Sequence, residues 1–173
     1  MEERIILSLL VENNSGVLSR VAGLFSRRGY NIDSLTVGET NDPGVSRMTV
    51  VARGEYDTLQ QIQKQLAKLE DVLDIMPLDD EYSVYRELVM IKVLAGQEER
   101  ADIVSIVNIF RAKIVDVAPD SMVIEVTGNQ SKIDALLVML DSFKIVEIVR
   151  TGIAGISRGT NDFDIDKIRA KTK

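Results

Sequence analysis

The chain reads RIILSLLVENNSGVLSRVAGLFSRRG over residues 4–29, and this stretch sets the order of the first elements. Residues 4–12 form a short, branched, nearly continuous apolar run of strand length, which the polar residues 13–16 interrupt. From 17 to 28 the apolar side chains recur at helical spacing, and Gly29 supplies a C-terminal stop. The stretch therefore predicts a strand, a loop and a helix.

The next part of the chain predicts a hairpin, a second helix and a closing strand. Apolar alternation in the first strand of the hairpin slips in phase at Asp33-Ser34, which indicates a bulge or bend. Asp57 opens the helical stripe, and Gln60 is in position to complete a capping box. The predicted elements are a strand at 30–40, a turn at 41–44, a strand at 45–53, a helix at 57–69 and a strand at 72–76.

The same order, β-α-β-β-α-β, repeats in the second half of the chain. Its elements are a strand at 86–95, a helical face at 103–110, strands at 113–118 and 122–127, a helical face at 133–140 and a strand at 144–150. Two copies of a split βαβ unit are the simplest account, each with both helices on one face of an antiparallel sheet. The predicted fold class is α+β, with two ferredoxin-like βαββαβ units.

The predicted division is a first domain at 1–78, a linker at 79–85, a second domain at 86–160 and a tail at 161–173. The linker is short and acidic. The run Gly152-Ile153-Ala154-Gly155 lacks the spacing of a dinucleotide-binding fingerprint and follows a βαβ unit rather than opening one. It predicts a flexible exit from the last strand.

Composition and charge exclude several classes of function. The chain has 173 residues, with 21 Lys and Arg against 27 Asp and Glu, and it has no His and no Cys. Serine–histidine and cysteine–histidine nucleophile pairs, Cys/His zinc sites, disulfides and the usual haem ligands are therefore excluded. The net charge of −6 disfavours nucleic acid as a partner. The acidic run Asp79-Asp80-Glu81 is more typical of a solvated linker than of a metal site.

The sequence shows no targeting or membrane-spanning pattern. The first apolar run has an acidic start and is too short for a signal peptide, and no stretch reaches eighteen consecutive apolar residues. We expect a cytoplasmic location.

The loop between the first strand and the first helix is the strongest candidate for a binding site. A helix start attracts an anion such as a carboxylate, and Gly16 would let the main chain approach a ligand. Carboxamides of Asn13 and Asn31, with apolar Val17 and Leu18, suit a free amino acid. The structural alternative is that Asn14 or Ser15 caps the helix; from the residues alone this alternative is favoured.

Specific strings along the chain then indicate a family. They are ENNSGVLSRV at 12–21, GLFSRRGYNIDSLTV at 23–37, DP at 42–43, SRMT at 46–49, QIQKQL at 61–66, FRAKIVDV at 110–117, RTGI at 150–153 and SRG at 157–159. Together they resemble the regulatory small subunit of acetohydroxyacid synthase, also called acetolactate synthase, whose N-terminal part is an ACT domain. The resemblance extends to Thr160.

The resemblance implies a subunit without an active site, and no catalytic residue, metal site or cofactor is expected in this chain. The catalytic large subunit of that family carries thiamine diphosphate, Mg²⁺ and FAD, and joins two pyruvates or pyruvate with 2-ketobutyrate. The regulatory subunit raises this activity and confers feedback inhibition, usually by valine, in branched-chain amino acid biosynthesis. A homodimer or higher oligomer is expected. By resemblance, the effector-binding residues are Asn13, Gly16, Val17 and Leu18 of one chain, with Asn31 and Ile32 of another.

Two other functions stay open at the level of sequence. One is an ACT-type amino-acid sensor that serves a different enzyme. The other is an RNA-binding module, since the RNA-recognition fold has the same element order. That fold stacks bases on aromatic residues of its central strands, and residues 5–11 and 46–52 contain none.

Overall fold

The computed structural model describes residues 3–160 and Ile168, and it divides into two compact units. The first comprises residues 3–84 together with 153–160, and the second comprises Tyr85–Gly152. Both units have the βαββαβ order with antiparallel sheets, so the predicted fold class is confirmed. None of the described helices is long and apolar enough to cross a membrane.

The first unit is a sheet with strand order β2-β3-β1-β4 and two helices. Its elements are β1 (Glu3–Glu12), α1 (Val17–Arg27), β2 (Ile32–Glu39), β3 (Val45–Gly54), α2 (Tyr56–Leu66) and β4 (Val72–Pro77). Strand β1 is central and pairs with β3 on one side and β4 on the other. Strand β2 lies at an edge, because it pairs only with β3 in the described sheet.

The core of the first unit lies between the sheet and its helices. Alternate residues of β1 and β3 point to this side, and both helices bury one apolar stripe against them. Each fully buried leucine or isoleucine there contributes about 1.5–3 kcal/mol. The buried set is Leu7, Leu9, Val11, Val17, Val21, Leu24, Phe25, Met48, Val50, Ala52, Leu59, Ile62 and Leu66.

The irregularity expected in β2 is confirmed. The register of β2 against β3 shifts between Ile32 and Ser34, so Asp33 is the inserted residue. Its carboxylate forms an ion pair with Arg53, with Nε and Oδ2 2.6 Å apart. In contrast, the prediction of a capping box at the start of α2 is wrong. The helix begins at Tyr56, and the side chain of its N-cap residue, Glu55, makes no capping hydrogen bond.

The second unit repeats this plan with strand order β6-β7-β5-β8. Its elements are β5 (Ser83–Leu94), α3 (Arg100–Ile109), β6 (Lys113–Val117), β7 (Ser121–Gly128), α4 (Gln130–Leu140) and β8 (Ile145–Arg150). The core again lies between sheet and helices, with Val89, Ile91, Ile103, Ile124 and Leu136 fully or almost fully buried. Its helices are less amphipathic than α1 and α2, and they leave Val104, Ile109 and Val138 exposed.

The segment after β8 differs from the prediction. It was expected to be a flexible exit, but it forms a short strand, β9 (Ala154–Ser157), which pairs with β5. The second unit therefore ends at Gly152, whereas the sequence placed the boundary at residue 160. The physical reason is a set of hydrogen bonds from this segment to hydroxyl groups of the first unit. The predicted tail lies outside the described residues, apart from Ile168.

Candidate functional site

The loop between β1 and α1 gives the first helix an open amino end. Gly16 is the N-cap residue, with φ 87° and ψ −11°, and among the described residues no side chain caps the helix. The backbone N–H groups of Leu18 and Ser19, in the first turn of the helix, donate no hydrogen bond to any of the described residues. The expectation that Asn14 or Ser15 caps this helix is therefore wrong. The partial positive charge of the helix start remains available to an anion.

Asn13 ties the loop to the β2–β3 hairpin. Its Nδ2 donates to the carbonyl oxygen of Pro43 at 2.9 Å and to Oε2 of Glu39 at 3.3 Å. Its Oδ1 accepts a hydrogen bond of 3.0 Å from Oγ of Ser46. Its backbone N–H donates to the carbonyl of Gly44. Both N–H bonds of the carboxamide and one lone pair of Oδ1 are thus used inside the chain, which leaves the second lone pair of Oδ1 for a ligand.

Gly16 occupies a position that favours glycine for two reasons. Its φ is in the left-handed region, and a Cβ atom would lie 3.1 Å from Nη1 of Arg20. Arg20 is held by a bidentate ion pair with Asp71, with Nε–Oδ2 2.5 Å and Nη2–Oδ1 2.8 Å. This hydrogen bonding raises the pKa of Arg20 and lowers that of Asp71, so both groups stay charged. The ion pair fixes the side chain that faces Gly16.

The apolar residues of the loop point in different directions. Val17 is 2% exposed and belongs to the core, so its side chain faces the sheet rather than the solvent. Leu18 is 45% exposed. Of these two side chains, only that of Leu18 is accessible to an external ligand.

Asn31 and Ile32 lie at the other end of β2. Asn31 is exposed and its Nδ2 donates to Oδ1 of Asp33 at 3.3 Å, while Ile32 is half-buried against the core. Asn13 contacts the opposite end of this strand at Glu39. Because β2 has eight residues, at ~3.3 Å per residue its ends are roughly 20 Å apart. One chain therefore does not bring the two groups of predicted residues around one small ligand.

Sequence reasoning missed the residues that hold the loop in place. Arg20 and Asp71 are 51 positions apart, and Asn13 meets Ser46 across 33 positions. No local pattern connects such partners; only the antiparallel register of β1, β3 and β4 brings them together. Within the described ranges, no three Asp or Glu residues are grouped so that they could hold a metal ion.

Family models match both units of the chain. The model of the AHAS small subunit-like ACT domain matches residues 7–74, and the model of the small subunit of acetolactate synthase matches residues 86–159.

Full-length relatives give the same result. The chain is 53% identical over 156 residues to the probable acetolactate synthase small subunit of Methanothermobacter thermautotrophicus, covering 90% of this chain and 93% of that protein. It is 48% identical to the acetolactate synthase isozyme 3 small subunit of Escherichia coli, covering 90% and 96%. The crystal structure of the acetolactate synthase small subunit from Thermotoga maritima is similar, with a TM-score of 0.83, 42% identity and coverage of 91% and 99%.

Proposed function

The chain belongs to the small-subunit family of acetolactate synthase, and from this premise we propose that it makes the synthase inhibitable by valine. A small subunit implies a catalytic large subunit as its partner. We propose that this chain activates that partner and itself catalyses nothing. Thiamine diphosphate, Mg²⁺ and FAD belong to the catalytic subunit in this proposal, and the location of the complex is cytoplasmic.

The observation that carries the proposal is the separation of the two residue groups along β2. The β1–α1 loop lies at one end of this strand and Asn31 at the other. Strand β2 is an edge of its sheet, so a second copy can pair with it. Antiparallel pairing of two β2 strands would place the start of one beside the end of the other. Asn31 and Ile32 of a second copy would then face the loop of the first.

Such a site suits the chemistry of a branched-chain amino acid. The free N–H groups of Leu18 and Ser19 would bind the carboxylate, with roughly 0.3–1 kcal/mol from the helix dipole. Oδ1 of Asn13 and the carboxamide oxygen of Asn31 can accept hydrogen bonds from the ammonium group. Apolar contact with Leu18 and Ile32 would contribute about 0.8 kcal/mol for each buried CH₂ of the ligand.

Inhibition then follows from linkage between two sites. Valine can shift only an equilibrium between states that it binds unequally, and such couplings are typically about 1–3 kcal/mol. A ligand held between two copies of the chain favours the paired arrangement that encloses it. The catalytic subunit would respond to that arrangement.

The experiment is a reconstitution. The purified chain is mixed with the catalytic subunit, and acetolactate production is measured with and without valine, leucine or isoleucine. We expect activation by the chain alone and inhibition by valine. Activity that neither the chain nor any of these amino acids changes would contradict the proposal, and would favour an amino-acid sensor for a different enzyme.

A further inference from the structure

The segment Ile153–Ser157, which we call the strap, is bound to the first unit through hydroxyl groups. The N–H of Ile153 donates to Oγ of Ser34 at 3.3 Å, and its carbonyl accepts from Oγ1 of Thr36 at 2.9 Å. The N–H of Gly155 donates to Oγ1 of Thr49 at 3.2 Å. Ile153 is only 6% exposed. The strap is therefore anchored to two adjacent strands, β2 and β3.

These hydroxyl groups share the sheet face that points away from the helices. The register places Thr36 opposite Thr49, and Thr49 opposite Ser8 on β1, so the three form one row across the sheet. Ser8 is fully buried, and among the described residues its Oγ has no hydrogen-bond partner. The row thus contains two residues that bind the strap and one that does not, which provides an internal control.

The last residues of the second unit lead directly into the strap. Thr151 belongs to that unit, and its Oγ1 accepts a hydrogen bond of 3.2 Å from the N–H of Leu88 on β5. Gly152 follows with φ 86°, a backbone conformation that other residues adopt only with strain. Ile153 is already bound to Ser34. A displacement of β2 would thus reach the end of β8 through one short covalent connection.

The strap is also joined to the proposed effector site. Ser34 follows Ile32 in β2, separated from it only by the bulged residue Asp33. At the other end of the hairpin, Asn13 of the effector loop holds Pro43 and Ser46. Both groups of effector residues therefore act on the two strands that carry the strap.

We propose that the strap transmits the effector response from the first unit to the rest of the chain, with Ser34, Thr36 and Thr49 as its positioning residues. This inference rests on the proposed function, since it requires that an amino acid binds and inhibits. Binding occurs at the loop and at β2, and the hydroxyl row couples a shift of these strands to the strap. Without the hydroxyl groups, the ligand still binds, but its binding no longer changes the second unit.

The test separates binding from response in the full-length chain. The double variant Thr36→Val, Thr49→Val removes one donor and one acceptor for the strap while keeping side chains of similar size. We expect the calorimetric valine affinity and the activation without valine to stay within about twofold, while the fraction of activity lost at saturating valine falls at least about fivefold. Amide exchange at Gly155 should accelerate, because its acceptor is lost.

Two controls distinguish a positioning role from a general loss of stability. The variant Thr36→Ser, Thr49→Ser keeps both hydroxyl groups and should restore normal inhibition. Ser8→Ala removes the hydroxyl of the same row that binds nothing in the described chain, and it should leave inhibition unchanged. Normal inhibition by valine in the Thr36→Val, Thr49→Val variant would overturn the role of the strap and leave the proposed function intact. If no branched-chain amino acid inhibits the synthase reconstituted with the wild-type chain, the proposed function is overturned, and the strap proposal with it.

Discussion

The two units share one topology but differ at the start of their first helices. Helix α1 begins at Val17 after the N-cap residue Gly16, and it has neither a side-chain cap nor an acidic residue in its first turn. Helix α3 follows the acidic residues Glu98 and Glu99 and has Asp102 in its first turn. Oε2 of Glu99 also accepts a hydrogen bond of 2.9 Å from the N–H of Gly96. The start of α3 therefore carries its own negative charge. Of these two helix starts, that of α1 is the one suited to a carboxylate.

This difference shows that the fold alone does not give a helix start that suits an anion. A ferredoxin-like unit places a helix start after its first strand in every copy, but the loop sequence decides whether that start can bind an anion. The same topology therefore carries a helix start without acidic residues in the first unit and an acidic helix start in the second. Three substitutions test this comparison, from the largest expected effect to the smallest.

Gly16→Asp should have the largest effect, because it gives α1 the acidic start of α3. The new carboxylate repels that of valine, and the left-handed backbone costs a non-glycine residue about 1–2 kcal/mol. We expect loss of valine binding in calorimetry, while the variant still activates the catalytic subunit. Gly96→Asp, in the matching loop of the second unit, should bind valine normally. Valine binding by Gly16→Asp with wild-type affinity would contradict the site.

Asn13→Ala should have an intermediate effect, because it releases the loop from the hairpin. It removes hydrogen bonds to Pro43, Glu39 and Ser46, and we expect a loss of about 1–2 kcal/mol in urea unfolding. The concentration of valine for half-inhibition should rise about tenfold or more. Asn129→Ala is the matched control: it removes the N-cap of α4 and costs about 1 kcal/mol. If the valine concentration for half-inhibition is the same in the two variants, Asn13 acts only through the stability of the fold.

Asp71→Asn should have the smallest effect at neutral pH and a visible one in acid. The hydrogen bond and charge of Arg20 lower the pKa of Asp71 below its ordinary value of 3.8, so the ion pair stabilises the fold above that pH. This contribution is lost as the pH falls through the lowered pKa. The urea midpoint of the wild type should therefore fall more steeply below about pH 4 than that of the variant. If the urea midpoints of the wild type and the variant fall equally steeply with pH, the Arg20–Asp71 ion pair contributes nothing to stability.

Most of the fold could be predicted from the sequence because it depends on local periodicity. Strands β1 and β3 and helix α1 lie within a residue of their predicted bounds, and the phase slip at Asp33-Ser34 is a real bulge. The start of α2 was misplaced because Asp57 matches a capping pattern, whereas the helix begins at Tyr56 with an N-cap that makes no side-chain bond. Capping depends on backbone angles at one residue, and residue type alone does not determine them.

The position of the β1–α1 loop could be predicted from the sequence, but the contacts that hold it could not. A glycine before an amphipathic helix identifies the loop, but the partners of Asn13 become adjacent only in the folded sheet. The strap was missed for the same reason, since Ile153 meets Ser34 and Thr36 across more than a hundred residues. Glycines at 152 and 155 are typical of a flexible exit, and their role depends on hydroxyl groups that no local pattern connects to them.

The most direct test of the central claim is valine titration of mixed dimers by calorimetry. Gly16→Asp damages the loop, and Asn31→Ala damages the start of β2; neither variant alone should bind valine. Co-expression of the two should restore binding at about one site per four chains, since half of randomly formed dimers are mixed and each has one intact shared site. No recovery in the mixture would contradict a site built from two copies of the chain.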